Sequence, residues 1–231
     1  MFTAEGGKAP WVPRVLPFAA YMVFIFIEST IVQILPHVAA SIYFVPTVYT
    51  IKTVSVILTL FFIWKSCDEL NAPVFLPRNA IMAIAAGVVV FVLWINMDWQ
   101  FATMGDQKVY NPRRLGSGIG LYGFFAIRLV GAALVVPIFE ELFWRSFILR
   151  YIIDPNFLAV RLGTFTLSSL LISSVLFGFE HYLWLAGIMA GVIYNVVLYR
   201  TGTLWWPIFA HGVTNFLLGI YVIFSGEWRF W

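Results

Sequence analysis

Apolar stretches long enough to cross a bilayer follow one another along almost the whole chain. They run over Val15–Leu35, Val38–Trp64, Asn79–Met97, Gly120–Ile152, Leu162–His181, Leu183–Arg200 and Leu204–Phe224. In hydrocarbon every backbone N–H and C=O must be paired inside the protein, so such a segment of about 20 residues folds as a helix. Only 11% of the 231 residues are charged, against about 25% in a soluble domain. Lipid is therefore the solvent for most of this chain. The expected fold is all-α: a polytopic integral membrane bundle of seven transmembrane helices, or eight if Pro46 splits the second. Residues 1–119 would supply N-terminal helices and an interfacial loop, and residues 120–231 a helical core, within one structural domain.

Charge and cysteine exclude several classes. The net charge of +3 is small and no Lys/Arg-rich run suggests a nucleic-acid partner. A single cysteine, Cys67, rules out an intrachain disulfide and a multi-cysteine metal site. The first apolar segment is too long for a cleaved leader and carries Glu28, so it is expected to be a retained span. Lys8, Arg14, Lys65, Arg78, Arg150, Arg161 and Arg200 fall on one side of the bundle, and Lys108, Arg113, Arg114 and Arg229 on the other. That excess places the N-terminus in the cytoplasm, with a bacterial inner membrane as the expected location. In "LAGIMAG" the small residues Gly187 and Gly191 lie one turn apart, a packing stripe for a neighbouring helix.

A charged side chain at the bilayer centre costs about 2.5–3.5 kcal/mol on insertion scales, so such residues face the bundle interior and mark candidate sites. They concentrate in the last four spans. "EELFWR" places Glu141 and Arg145 four apart with the acid first, the favourable order for an ion pair on one helix face. Glu140 points about 100° away and lacks that partner. A carboxylate in an apolar site can exchange a proton near neutrality. The expected division of labour is chemistry for Glu140 and positioning for the Glu141–Arg145 pair. The structural alternative is that both acids only tie helices together. "FGFEH" puts Phe177 and His181 four apart, and "HGVTN" does the same for His211 and Asn215. An acid, two imidazoles and an amide on three helices suffice to activate water and to hold an oxyanion.

These three motifs resemble those of the CPBP family (CAAX proteases and bacteriocin-processing enzymes, also called the ABI family), whose patterns are EExxxR, FxxxH and HxxxN. The resemblance covers roughly residues 120–220. The flanks, including "RTGTLWWPIFAHGVTNFLLGIY" and the terminal "GEWRFW", look like the CAAX prenyl protease-related subgroup of bacteria with exosortase/PEP-CTERM systems. The resemblance implies an intramembrane glutamic endopeptidase of the type-II CAAX protease kind, acting on a membrane-associated protein or peptide. It implies that Glu140 and His181 activate water, that His211 and Asn215 form the oxyanion site, and that Glu141, Arg145 and Phe177 support them. It implies no cofactor. Zinc is the lesser alternative, since each helix offers one imidazole and HExxH is absent. A proton-coupled transporter and a non-catalytic scaffold or immunity protein compete with the peptidase reading. Against a transporter, the chain shows no repeated half. Nothing in the sequence indicates an oligomeric state.

Lesser polar residues have plainer readings. Asn195 is expected to be interhelical glue and Glu180 a helix end. Glu28 and Lys52 would pair with each other, and Arg128 would snorkel toward the polar loop. If His181 is to meet Glu140 and His211, the short "HYL" turn must lie within the bilayer depth. A turn there is tolerated only where it lines a polar cavity or is covered by protein.

Overall fold

A computed structural model describes residues 9–71, 75–105 and 109–231; Lys8 and Lys108 lie outside them. Among the described residues the structure is helical, without strands. Seven apolar helices form the bundle: α1 (Val12–Ile34), α2 (Phe44–Ile63), α3 (Pro77–Asn96), α4 (Ile119–Ile153), α5 (Leu167–Phe179), α6 (Trp184–Thr201) and α7 (Trp205–Ser225). Six of them are long and apolar enough to cross a membrane, which makes this an integral multi-pass protein.

Two segments differ from the sequence expectation. The stretch expected as Val38–Trp64 is broken before Pro46, not at it. A single turn, Pro36–Ala39, precedes α2, and Pro46 then sits in the first turn of α2, where a missing N–H costs nothing. The span expected at Leu162–His181 shrinks to α5, whose 13 residues measure about 20 Å. Its start is set by Thr166, whose hydroxyl accepts the Ser169 N–H as a cap. Before it, Gly163 turns the chain at φ +83°, a conformation that strains any residue with a Cβ, and a Cβ there would stand only 3.0 Å from Leu198 O.

The small-residue stripe does what its spacing predicts. A Cβ on Gly187 would stand 2.9 Å from Gly178 Cα, and one on Gly191 2.9 Å from Ser174 Cα. Helices α5 and α6 thus touch backbone to backbone, and this fixes the depth of the turn between them. That turn is covered by the preceding loop: Met104 N–H donates to Tyr182 O at 2.9 Å, and Trp184 Nε1 donates to Phe101 O at 3.3 Å.

At one end of the bundle the loop acid Glu69 joins three elements. It accepts two hydrogen bonds from Arg14 of α1, at 2.7 and 2.6 Å, one from Arg150 of α4 at 2.7 Å, and one from Ser146. At the other end Arg229 pairs with Asp98, and Arg113 lies over the Trp228 ring. The two groups of arginines thus occupy opposite ends, as their places in the sequence require. Burial alone would raise the Glu69 carboxyl, but the hydrogen bonds from Arg14 and Ser146 outweigh it and hold the group down at about 2. A carboxyl lowered by folding stabilises the native state above its unfolded pKa of about 4.3 and loses that contribution as pH falls toward the folded value. The expected result is a thermal midpoint that declines between about pH 4.5 and 2. In Glu69→Gln that decline is shallower, from a lower midpoint at pH 7, as measured by thermal unfolding in detergent.

Candidate active site

The central geometry starts with a proline. Pro137 in α4 has no N–H to offer the turn before it, and its ring crowds the carbonyl four residues back. The helix responds with a widened turn over residues 131–135, in which Val136 N–H bonds Gly131 O across five residues instead of four. Ala132 O is left without an intrahelical donor. Asn215 of α7 supplies one, its Nδ2 donating to Ala132 O at 2.9 Å. Because the partner is a carbonyl, the amide orientation is settled: nitrogen faces Ala132, and one N–H and Oδ1 remain free for other partners.

One turn before Asn215, His211 meets the acid pair. Its Nδ1 lies 2.9 Å from Glu141 Oε1, while its Nε2 lies 4.0 Å from Glu140 Oε2. Tyr194 stacks on the ring, with centroids 5.0 Å apart, and in turn donates to Thr214 Oγ1 at 2.8 Å. Glu141 is fully buried and also pairs with Arg145 at 3.1 Å, as the spacing of four predicts. Arg145 continues into the bundle: its Nε donates to Asn195 Oδ1 at 3.1 Å, and Asn195 Nδ2 donates to Ser173 and Ser174 of α5 at 2.9 and 3.1 Å. Asn195 is interhelical glue, as expected, and it ties α6 to both α4 and α5.

His181 follows α5, in the covered turn. Its Nδ1 lies 2.8 Å from Phe177 O, and a carbonyl can only accept. The neutral ring therefore carries its proton on Nδ1 and leaves the Nε2 lone pair available. Phe177 holds the site from two directions, through this carbonyl and through its ring against the Arg145 guanidinium at 4.4 Å. Glu180 marks the helix end, and it also accepts the Trp144 indole N–H at 2.8 Å, clamping that end to α4. Glu28 and Lys52 approach to 3.9 Å, with the Lys52 ammonium 4.4 Å from the Tyr21 ring centroid.

Glu140, His181, His211 and Asn215 line one cavity of about 260 Å³, well above the ~30 Å³ share of a single water. Glu140 Oε2 is buried without a hydrogen-bond partner there. Glu141, Arg145 and Asn195 are buried behind this wall. The cavity also takes residues that the motifs did not reveal: Tyr21, Tyr49, Trp94, Tyr194 and Thr214. None is charged, and Tyr and Trp are common at span ends, so nothing in the sequence separated them from interfacial anchors. Arg128 is a correction: it faces this cavity and does not snorkel to the loop. Among the described residues, no three His, Cys, Asp or Glu side chains are grouped as metal ligands would be.

Fold and site together define a polytopic membrane protein of helices with an acid–histidine–amide cluster on a cavity between the helices. Residues 122–217 match the family described as Type II CAAX prenyl endopeptidase Rce1-like. The matched segment contains every residue of the cluster, so the resemblance to CAAX-type intramembrane proteases holds where the chemistry would be. No curated protein and no solved structure matches the chain.

Proposed function

We propose that the chain is an intramembrane endopeptidase that hydrolyses a peptide bond of a membrane-associated protein or peptide with an activated water. The observation that carries this reading is the meeting of Glu140, His181, His211 and Asn215 on one cavity inside the bundle. Glu140, whose Oε2 has no protein partner, takes a proton from water. The His181 Nε2 lone pair accepts the water's other O–H and orients it. The oxygen attacks the scissile carbonyl, and the free Asn215 N–H and the His211 Nε2 side hold the tetrahedral oxyanion. With Nδ1–H directed to Glu141, His211 donates through Nε2 in its protonated form, with Glu141 as counter-charge. Glu140 then passes its proton to the departing amine, and the C–N bond breaks.

In this reading the catalyst needs no metal: the donor set offers a base, a water-orienting imidazole and oxyanion donors from the chain itself. The excess of Arg and Lys places the N-terminus on the cytoplasmic side. The deciding experiment compares the termini of membrane and secreted proteins in cells with the wild type and with Glu140→Gln. Cleavage products present only with the wild type, and made by purified protein in the presence of chelators, support the proposal. Identical termini in both cells refute it, and activity restored by zinc after chelation refutes its metal-free form.

A further inference from the structure

Arg128 is the one Lys or Arg side chain that lines the candidate cavity among the described residues. Its Nε is buried without a hydrogen-bond partner, and no carboxylate among the described residues lies within ion-pair distance of its guanidinium. The nearby acid, Glu28, is approached by Lys52 instead. What holds Arg128 is aromatic: the rings of Tyr49 and Trp231 lie 5.0 Å from its Cζ, and both rings line the same cavity. The Tyr49 hydroxyl donates to the Arg128 carbonyl, fixing the backbone beneath the side chain. A guanidinium held against two aromatic rings is restrained before any ligand arrives. Lys52 approaches Glu28 at 3.9 Å, and the cavity's own acid, Glu140, makes no ion pair with Arg128, so Arg128 has no carboxylate partner of its own among the described residues. A half-buried cation with no acid of its own, facing a cavity inside a membrane bundle, marks a place where an anion can bind.

We infer that Arg128 is a specificity residue of the proposed peptidase, binding a carboxylate carried by the substrate peptide near the bond to be cut. The inference rests on the peptidase reading for the meaning of the cavity. Arg128 precedes Glu140 by 12 residues on the same helix, about 18 Å along the axis. Extended peptide covers about 3.4 Å per residue, so the carboxylate lies within about five residues of the scissile carbonyl. Two sources supply such a group: the terminal carboxylate of a short tail, or an acidic side chain.

The test uses binding without turnover. Purified full-length Glu140→Gln protein in detergent is immobilised and offered three pools of N-acetylated random pentapeptides. One pool has free C-terminal acids, one has C-terminal amides, and one has amides with Glu as the last residue; retention is read by mass spectrometry. The free-acid pool is expected to be retained about tenfold or more over the plain amides, the scale of a charge-assisted hydrogen bond. Retention of the Glu-ended amides to the same degree assigns the site to any nearby carboxylate, and their exclusion assigns it to the chain terminus. Arg128→Gln removes the preference, and Arg128→Lys, which keeps the charge, retains part of it. Equal retention of all pools, whether high or nil, overturns the inference. So does a preference that survives Arg128→Gln, or its loss in Arg128→Lys as well, which marks Arg128 as structural. Because no cleavage is measured, failure of the peptidase reading shows in the terminus comparison and not here.

Discussion

Glu140→Gln is expected to abolish turnover while leaving the yield of folded protein close to wild type, and Glu141→Gln is expected to fail first in stability. The two acids are neighbours in sequence, and their surroundings differ. Glu140 faces the cavity, its Oε2 makes no hydrogen bond, and its nearest charged-group contact is His211 Nε2 at 4.0 Å. An amide of the same shape breaks nothing in the bundle there but cannot take a proton from water. Loss of a general base alone costs about 10²–10⁴ in rate. Glu141 has no exposure and serves two partners, Arg145 at 3.1 Å and His211 Nδ1 at 2.9 Å. Its neutralisation leaves Arg145 charged in the interior, held by Asn195, the Gly191 carbonyl and the Phe177 ring but by no acid. Removing one member of a buried pair costs about 3–5 kcal/mol, a large part of the 5–15 kcal/mol that stabilises a typical domain. Thermal unfolding in detergent and cleavage of a peptide substrate separate the two effects. Full activity in both variants would remove the ground for a peptidase.

The membrane character, the i, i+4 pairs and the small-residue stripe were legible in the sequence because each depends on helix periodicity alone. Glu141–Arg145, Phe177–His181 and Gly187–Gly191 needed only a count of four. What crosses between helices was hidden. Glu141 was expected to pair with Arg145, and the spacing could not show that the same Oε1 that accepts from Arg145 also meets His211, which lies 70 residues away. Glu69 drew no attention, since one acid in a short loop looks like a solvated residue until Arg14 and Arg150 close on it from two helices. Arg128 was misread for a related reason. Its position near one end of a long span fits snorkelling, and only the packing of Tyr49 and Trp231 turns it toward the cavity. The short α5 was overestimated because "RLGTF" is apolar enough to extend a hydrophobic run, while the turn at Gly163 and the Thr166 N-cap start the helix only after it.

Asn215→Ala is expected to lower kcat by about 10²–10³ with little change in KM, the loss typical of one oxyanion donor. The missing N–H of Pro137 leaves Ala132 O free to take one Asn215 N–H at 2.9 Å. That bond costs the amide one donor and gains it a fixed direction, with the other N–H on the cavity side beside His211. A donor held in place before the reaction needs no reorganisation as charge develops, and in a low-dielectric cavity it favours the tetrahedral oxyanion over the ground-state carbonyl. The alanine variant removes this donor and also strands Ala132 O, so a modest fall in thermal stability should accompany the kinetic loss. Asn215→Asp separates the two roles. A carboxylate offers no N–H to Ala132 and repels an oxyanion, so it should be as poor as alanine or worse above neutral pH. Cleavage of a peptide substrate in detergent, followed for single variants at several pH values, yields kcat and KM separately. A rise in KM alone for Asn215→Ala would make Asn215 a substrate contact and leave the oxyanion without its second donor.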